Sequence, residues 1–273
     1  MADFLEARNY SRSFVDDFLL PALAGICTCT YDSVRDYPAD VVVDYFSRGL
    51  FFGGVRRVSG GTKDVVDRLT QNVERVFTGV EVQHIRPSEG SVEVGVQDGV
   101  IGGFDHVVIS TQANQAIRLL GDNHDQEKKI LQHFPYEKSR VLMHRDSSLA
   151  PSDRGSWSSV NFLTQSGSEK PMATIWMNKV QPALFNQSDI FQTWNPLIEP
   201  RDDLILSDVI FERPVVNSRS IDAIRELKAL HAVPGRRIWF SGSYAHYGIP
   251  LLESAVVSSS QIGASLGAPA PWA

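Results

Sequence analysis

The run Phe104-Asp105-His106-Val107-Val108-Ile109-Ser110-Thr111 constrains this chain more than any other stretch. From Val107 to Ser110 the residues are nearly apolar and do not alternate with polar ones. A strand with one face in water alternates. A strand covered on both faces does not, and such strands belong to parallel sheets flanked by helices. Ala113 to Leu120 then has helical character, and Gly121 ends it. The strand-then-helix order returns near the end of the chain. Arg237 to Ser243 predicts a buried strand, Gly242 to Pro250 a loop, and Leu252 to Leu266 a helix. The small residues Ser254, Ala255, Ser258, Ser259, Gly263 and Ala264 let that helix lie close to a sheet. An α/β class follows.

The remainder divides by periodicity. Asp3 to Glu6 and Arg12 to Leu20 predict helices, the second from the spacing of Phe14, Phe18 and Leu19. Pro38 opens a further helix through Phe46. Gly60-Gly61 turns the chain into a helix whose apolar face is Val65, Val66 and Leu69, with Thr62 as its expected cap. Val80 to Ile85 predicts a strand, and Ser91 to Val96 alternates into the hairpin signal Asp98-Gly99. Five antiparallel strands are expected at 140–144, 158–163, 173–177, 190–194 and 204–211, followed by a helix from Ile221 to His231.

Composition closes off several classes. Charged residues are 21% and hydrophobic ones 42%, an ordinary globular balance, with the Ala/Pro-rich stretch Gly267 to Pro271 the exception. The formal net charge is -6 with no basic block, so the counterion-release term that drives nucleic-acid binding is missing. The longest apolar stretch, Phe18 to Cys29, contains Pro21 and Gly25 and falls short of the ~20 residues a bilayer requires. Asp3 and Glu6 sit where a signal peptide wants positive charge, so a cytoplasmic location is the default expectation. Cys27 and Cys29 are spaced C-x-C, which matches neither a redox C-x-x-C nor a zinc half-site, and both read as buried apolar residues.

Few residues announce chemistry. There is no G-x-S-x-G elbow and no H-E-x-x-H. The seven histidines are scattered. The acidic neighbours Asp16-Asp17 and Asp202-Asp203 diverge on any regular element and read as surface. The terminal loop and helix are the informative part. A helix N-terminus beneath a glycine-bearing loop offers free N–H groups to an electron-rich ligand, and tight packing of the helix is the plain alternative.

The order of these segments is specific. Gly60-Gly61 leads into a helix, Val82 to Ile85 is a Val-x-x-Ile strand, and Phe104 to Ala113 follows. Five strands come next, and Trp239-Phe240-Ser241-Gly242-Ser243-Tyr244 with its trailing helix closes the series. From Asp3 to Leu266 this order resembles the flavin-containing amine-oxidase-like superfamily, in particular its predicted FAD/NAD-binding oxidoreductases of bacteria and fungi. The resemblance implies an incomplete FAD-binding Rossmann-like domain with an inserted antiparallel-sheet substrate domain. Residues 1–54 would be a helical part of the substrate domain and 55–125 a portion of the FAD domain. Residues 126–220 would be the antiparallel sheet, and 221–273 the last FAD-domain portion. FAD is the implied cofactor. The backbone of Val82 would face the adenine, and Ser110 and Thr111 would lie near the nucleotide half. Gly242 and Ser243 would approach the ribityl and pyrophosphate. Leu252 and Glu253, at the start of the last helix, would face the flavin pyrimidine. Trp176, Asn178, Trp194 and Tyr247 are the expected lining of the substrate cavity.

The chain departs from the family pattern in three respects. The opening strand, G-x-G-x-x-G turn and acidic ribose ligand are not found in it. Ser243 stands where amine oxidases carry an acidic residue, and no lysine aligns near Val141, where many place one beside the flavin; Arg140 is the nearest cation. The missing segment is expected to leave Ile238 to Ser241 with unpaired backbone groups, each costing about 1–3 kcal/mol when buried. A truncated product, a second chain supplying the nucleotide-binding segment, or a rearranged remainder would each answer that. The expected function is an FAD-dependent oxidoreductase taking hydride from a small apolar or amphipathic molecule, in lipid or secondary-metabolite biosynthesis. The alternative is a cofactor-free remnant acting as pseudoenzyme, binding partner, or non-redox isomerase or cyclase.

Overall fold

A computed structural model describes residues 1–47 and 57–272. The expected domain boundary at 54/55 lies outside the described residues. In chain order the strands are β1 (Val82–Ser88), β2 (Ser91–Val96), β3 (Gly99–Phe104), β4 (Val107–Ile109) and β5 (Tyr136–His144). They continue as β6 (Val160–Leu163), β7 (Met172–Trp176), β8 (Phe191–Trp194), β9 (Ile205–Pro214) and β10 (Ile238–Phe240). They form three sheets, ordered β1-β2-β3, β10-β4 and β6-β7-β8-β5-β9. The chain divides into two compact units, one of residues 1–39 and 134–222, the other of residues 40–133 and 223–273. The fold is therefore mixed helix and strand, with one parallel pair and two antiparallel sheets.

The first unit is built on the five-stranded antiparallel sheet. Each expected strand is present, because each is a short β-rich run bounded by turn-forming residues. Cross-strand register runs Phe162–Ala173–Trp194–Val141–Val209, so these five side chains share one face. Asn161, Thr174, Thr193 and Leu142 are in register on the other. The helix Leu20–Cys27 packs on the first face through Gly25, where an added Cβ would come 2.3 Å from the Phe162 ring. Ser139 Oγ donates to the Thr28 carbonyl at 2.9 Å, and Thr28 takes a left-handed conformation as the helix ends. Cys27 and Cys29 are both buried, unpaired thiols. Arg12 to Leu20 departs from a plain α-helix: Ser13–Leu19 is wound as a π-helix that runs on into Leu20–Cys27. The helix Tyr31–Asp36, capped by the Thr30 side chain, was not legible in the pattern.

The second unit holds the other two sheets. β1, β2 and β3 form a meander whose turn before Gly99 is the one the Asp98-Gly99 signal predicts. β4 and β10 pair in parallel, Val107 with Ile238 through Ile109 with Phe240. Two expectations are corrected here. Val108 is 41% exposed, so β4 is covered on one face only. The helix Gly61–Thr70 has Gly60, and not Thr62, as its N-cap, and it buries none of its residues; with Val66 49% and Leu69 68% exposed, the expected apolar face is largely uncovered among the described residues. A further helix, Asp125–Leu131, lies where no element was expected.

Candidate functional site

The carboxyl ends of a parallel pair are the natural place for a ligand, because successive strand-to-helix loops converge there. Here those loops are Ser110-Thr111 after β4 and Gly242-Ser243 after β10. The structure brings them together: the Thr111 carbonyl lies 3.8 Å from where a Cβ on Gly242 would stand. Gly242 has φ +155°, and that Cβ would also meet the Tyr244 ring at 2.8 Å, so no other residue fits without strain. Ser258, two turns into the helix Leu252–Ser265, fastens the loop. Its Oγ accepts from the Gly242 N–H at 3.1 Å and approaches the Gly242 carbonyl at 3.0 Å. Ser241 Oγ adds contacts of 3.2 Å to Ser258 and 2.7 Å to Ser259. The small-residue stripe of the last helix thus holds the loop with hydroxyls. Leu252, 78% exposed, and Glu253 open that helix. Val82 opens β1, in the three-stranded meander.

The far edge of β10, expected to be a bare slot, is covered at two places. The Phe240 N–H donates to His231 Nε2 at 3.2 Å, and Ser258 covers Gly242 on the same edge. His231 must therefore be neutral at Nε2. Burial, with Arg236 nearby, holds its pKa down to about 4. A small cavity of about 160 Å³ lies beside this edge, between Phe240, His231, Ser258 and Ile262. β4 is the opposite case: among the described residues β10 is its one hydrogen-bonded neighbour, so its other edge is open.

In the first unit a cavity of about 350 Å³ is lined by Leu149, Pro151, Asn161, Leu163, Met172 and Ile198 among others. It is largely apolar with a few polar atoms, the usual make-up of a small-molecule pocket. None of the four expected cavity residues lines it. Trp176 lies on the sheet face opposite Trp194, edge-on to Trp157 with ring centroids 5.2 Å apart, and its Nε1 donates to Asp189 at 2.9 Å. Asn178 is spent on its own loop: Nδ2 donates to the carbonyls of Leu184, Gln187 and Ser188, and Oδ1 accepts from the Ile190 N–H. Trp194 stacks on Phe211 at 5.9 Å on the partly open face. Tyr247 belongs to the second unit, where its hydroxyl donates to Asp40 Oδ2 at 2.6 Å. Burial first, then Asp40, pushes its pKa up to about 12. Arg140 is held by a bidentate contact to Asp208 and by Glu199, which raise its pKa further, so it is fully committed as an ion-pair partner.

One polar feature escaped the sequence reading. His144 Nδ1 accepts from the Asp146 N–H at 3.2 Å, and Nε2 lies 2.7 Å from Thr193 Oγ1, which lies 2.9 Å from Thr174 Oγ1. Given the first bond, Nε2 carries the proton and donates. His144, Thr193 and Thr174 are each 0% exposed. The row crosses β5, β8 and β7 under Phe191, and burial lowers the His144 pKa. Only register brings three such residues together, and register is not written in any one strand.

Comparison with known proteins places the fold. Among the solved structures that match over most of this chain are the following two. A candidate protoporphyrinogen oxidase from Exiguobacterium sp. 255-15 matches with a TM-score of 0.51 and 16% identity, over 90% of this chain and 62% of its own. A fatty acid isomerase from P. acnes, described as producing CLA, matches with a TM-score of 0.55 and 13% identity, over 86% and 60%. The chain shares their fold. It spans about three fifths of the length of each. No family model matches the sequence, and no curated protein matches it.

Proposed function

We propose that this chain forms the larger part of an FAD-dependent oxidoreductase of the amine-oxidase-like kind, acting on a small apolar or amphipathic molecule. The observation that carries the reading is the convergence of Ser110-Thr111 and Gly242-Ser243 at the carboxyl ends of β4 and β10. The fold likeness to two enzymes of different chemistry, an oxidase and an isomerase, supports it. The residues fit such a cofactor in one definite way: Gly242 offers backbone without a side chain, fixed from behind by Ser258. A bound flavin supplies the hydride-accepting centre. This chain's own residues hold the loop, shape the site and exclude water. The first unit's cavity, with its apolar walls and Asn161, suits a substrate with an extended hydrocarbon part and one polar group. Lipid or secondary-metabolite biosynthesis is the setting such a substrate suggests.

The open edge of β4 favours a companion proposal. A further parallel strand, from a segment outside these residues or from a second chain, pairs there and brings the phosphate-binding turn. The rival reading, a cofactor-free isomerase, cyclase or binding partner, would need no such strand. The visible spectrum of the purified chain, before and after adding FAD, tests the proposal. Bands near ~450 nm that survive desalting support it. A folded, colourless protein that ignores FAD overturns direct flavin binding by this chain alone and leaves the cofactor-free rival standing.

A further inference from the structure

At the other end of β10, away from Gly242, the second unit has a cavity of about 300 Å³. Its walls include Ser88 and Ser91 from the β1–β2 hairpin, His124, Glu127, Arg236 and Arg237. The Arg236 side chain is only 8% exposed, and His124 is 6% exposed. Both Arg236 terminal nitrogens reach one oxygen of Glu127 at 3.3 Å, which leaves Nε unused. Arg236 Nε and His124 Nδ1 are buried without a hydrogen-bond partner. A buried polar group left so costs about 1–3 kcal/mol, and two of them beside one cavity call for an acceptor. Two guanidinium groups face one carboxylate, so the cavity attracts negative charge. Arg237 uses Nη1 on the Asp105 carbonyl at 2.9 Å and keeps its other donors. Ser88 and Ser91, paired with each other at the end of the hairpin, line the same cavity.

We propose that this cavity binds a phosphoryl oxyanion, either free phosphate or a phosphate monoester on a compact metabolite. The arginines and the two serines would contact its oxygens. Arg236 and His124, whose Nε and Nδ1 lack partners, both belong to that wall. The site is separate from the carboxyl-end loops, so its test needs no FAD and its failure leaves the flavin reading untouched.

Isothermal titration of the full chain with inorganic phosphate, in low-salt buffer free of other oxyanions, reads the site directly. The expected result is saturable binding, weakened roughly tenfold or more by Arg236→Lys and by the double substitution Ser88→Ala/Ser91→Ala. The lysine keeps a cation beside Glu127, and the serines lie on a surface hairpin, so melting curves without phosphate should match the parent. The serine pair gives the reading if the lysine variant melts early. A phosphate monoester that binds more tightly than inorganic phosphate identifies a metabolite as the guest, and equal affinity identifies phosphate itself. Absence of saturable heat, or variants that bind as well as the parent, means ordered water fills the cavity, and overturns the proposal.

Discussion

Protonating His231 would cost β10 its edge hydrogen bond. Its pKa of about 4 in the folded protein lies below the 6.5 of a free histidine. Between those values the unfolded chain binds the extra proton, so stability is full above pH ~6.5 and falls as the pH drops toward ~4. After discounting for partial exposure, the loss is about 1–2 kcal/mol. His144 shifts in the same direction, so the variant isolates the effect. His231→Gln keeps an acceptor oxygen and removes the titration, and thermal melts at pH 7.5 and 4.5 should show a smaller gap than in the parent. Gly242 makes a second prediction at this scale. Gly242→Ala forces a Cβ into the Tyr244 ring at positive φ and should cost about 1–3 kcal/mol, read by chemical denaturation. It should weaken any FAD binding as well, because the loop must move.

Among elements, the five-stranded sheet was the most legible, because β-rich runs between turn residues declare themselves locally. What did not show was which residues those strands would bring side by side. Trp176 and Trp194 both sit on strands named from the sequence, yet register sends them to opposite faces. His144, Thr193 and Thr174 form a buried row for the same reason. Thr193→Val should strand the His144 proton and the Thr174 hydroxyl, at a cost of about 1–3 kcal/mol. In a double-mutant cycle with Thr174→Val the two losses should be non-additive, since the residues share one bond. Additive losses would mean that the row does not act as a unit. The packing of the helix Leu20–Cys27 is equally direct to test. Gly25→Ala drives a methyl against Phe162 and should destabilise by about 1–3 kcal/mol, seen as a lowered melting temperature.

At the scale of the molecule, the two units differ in how complete they are. The first has a five-stranded sheet whose inner strands β5, β7 and β8 are largely buried, although its edge strands keep exposed apolar residues. The second has a two-stranded parallel sheet with an open edge and a helix, Gly61–Thr70, that buries nothing. Hydrogen exchange should report this: amides of Val141, Leu142 and Thr193 should be long protected, and the Val108 amide should exchange early. Equal protection would show that the edge of β4 is closed in solution. The sequence hinted at this unit through Val107 to Ser110, whose unbroken apolar character asks for cover that these residues do not themselves provide. It could not reveal the sealing of β10, which depends on a histidine at the end of one helix meeting a strand several residues later.

That sealing has a consequence for how such a fold can be built upon. With one flank partly occupied by His231 and Ser258 and the other open among the described residues, the two sides are not equivalent to an incoming strand. A strand joined beside β4 meets free backbone at once, whereas one joined beside β10 must first displace the His231 ring from the Phe240 N–H and the Ser258 hydroxyl from Gly242. The order of an enlarged sheet is thus biased by two side chains that belong to no strand.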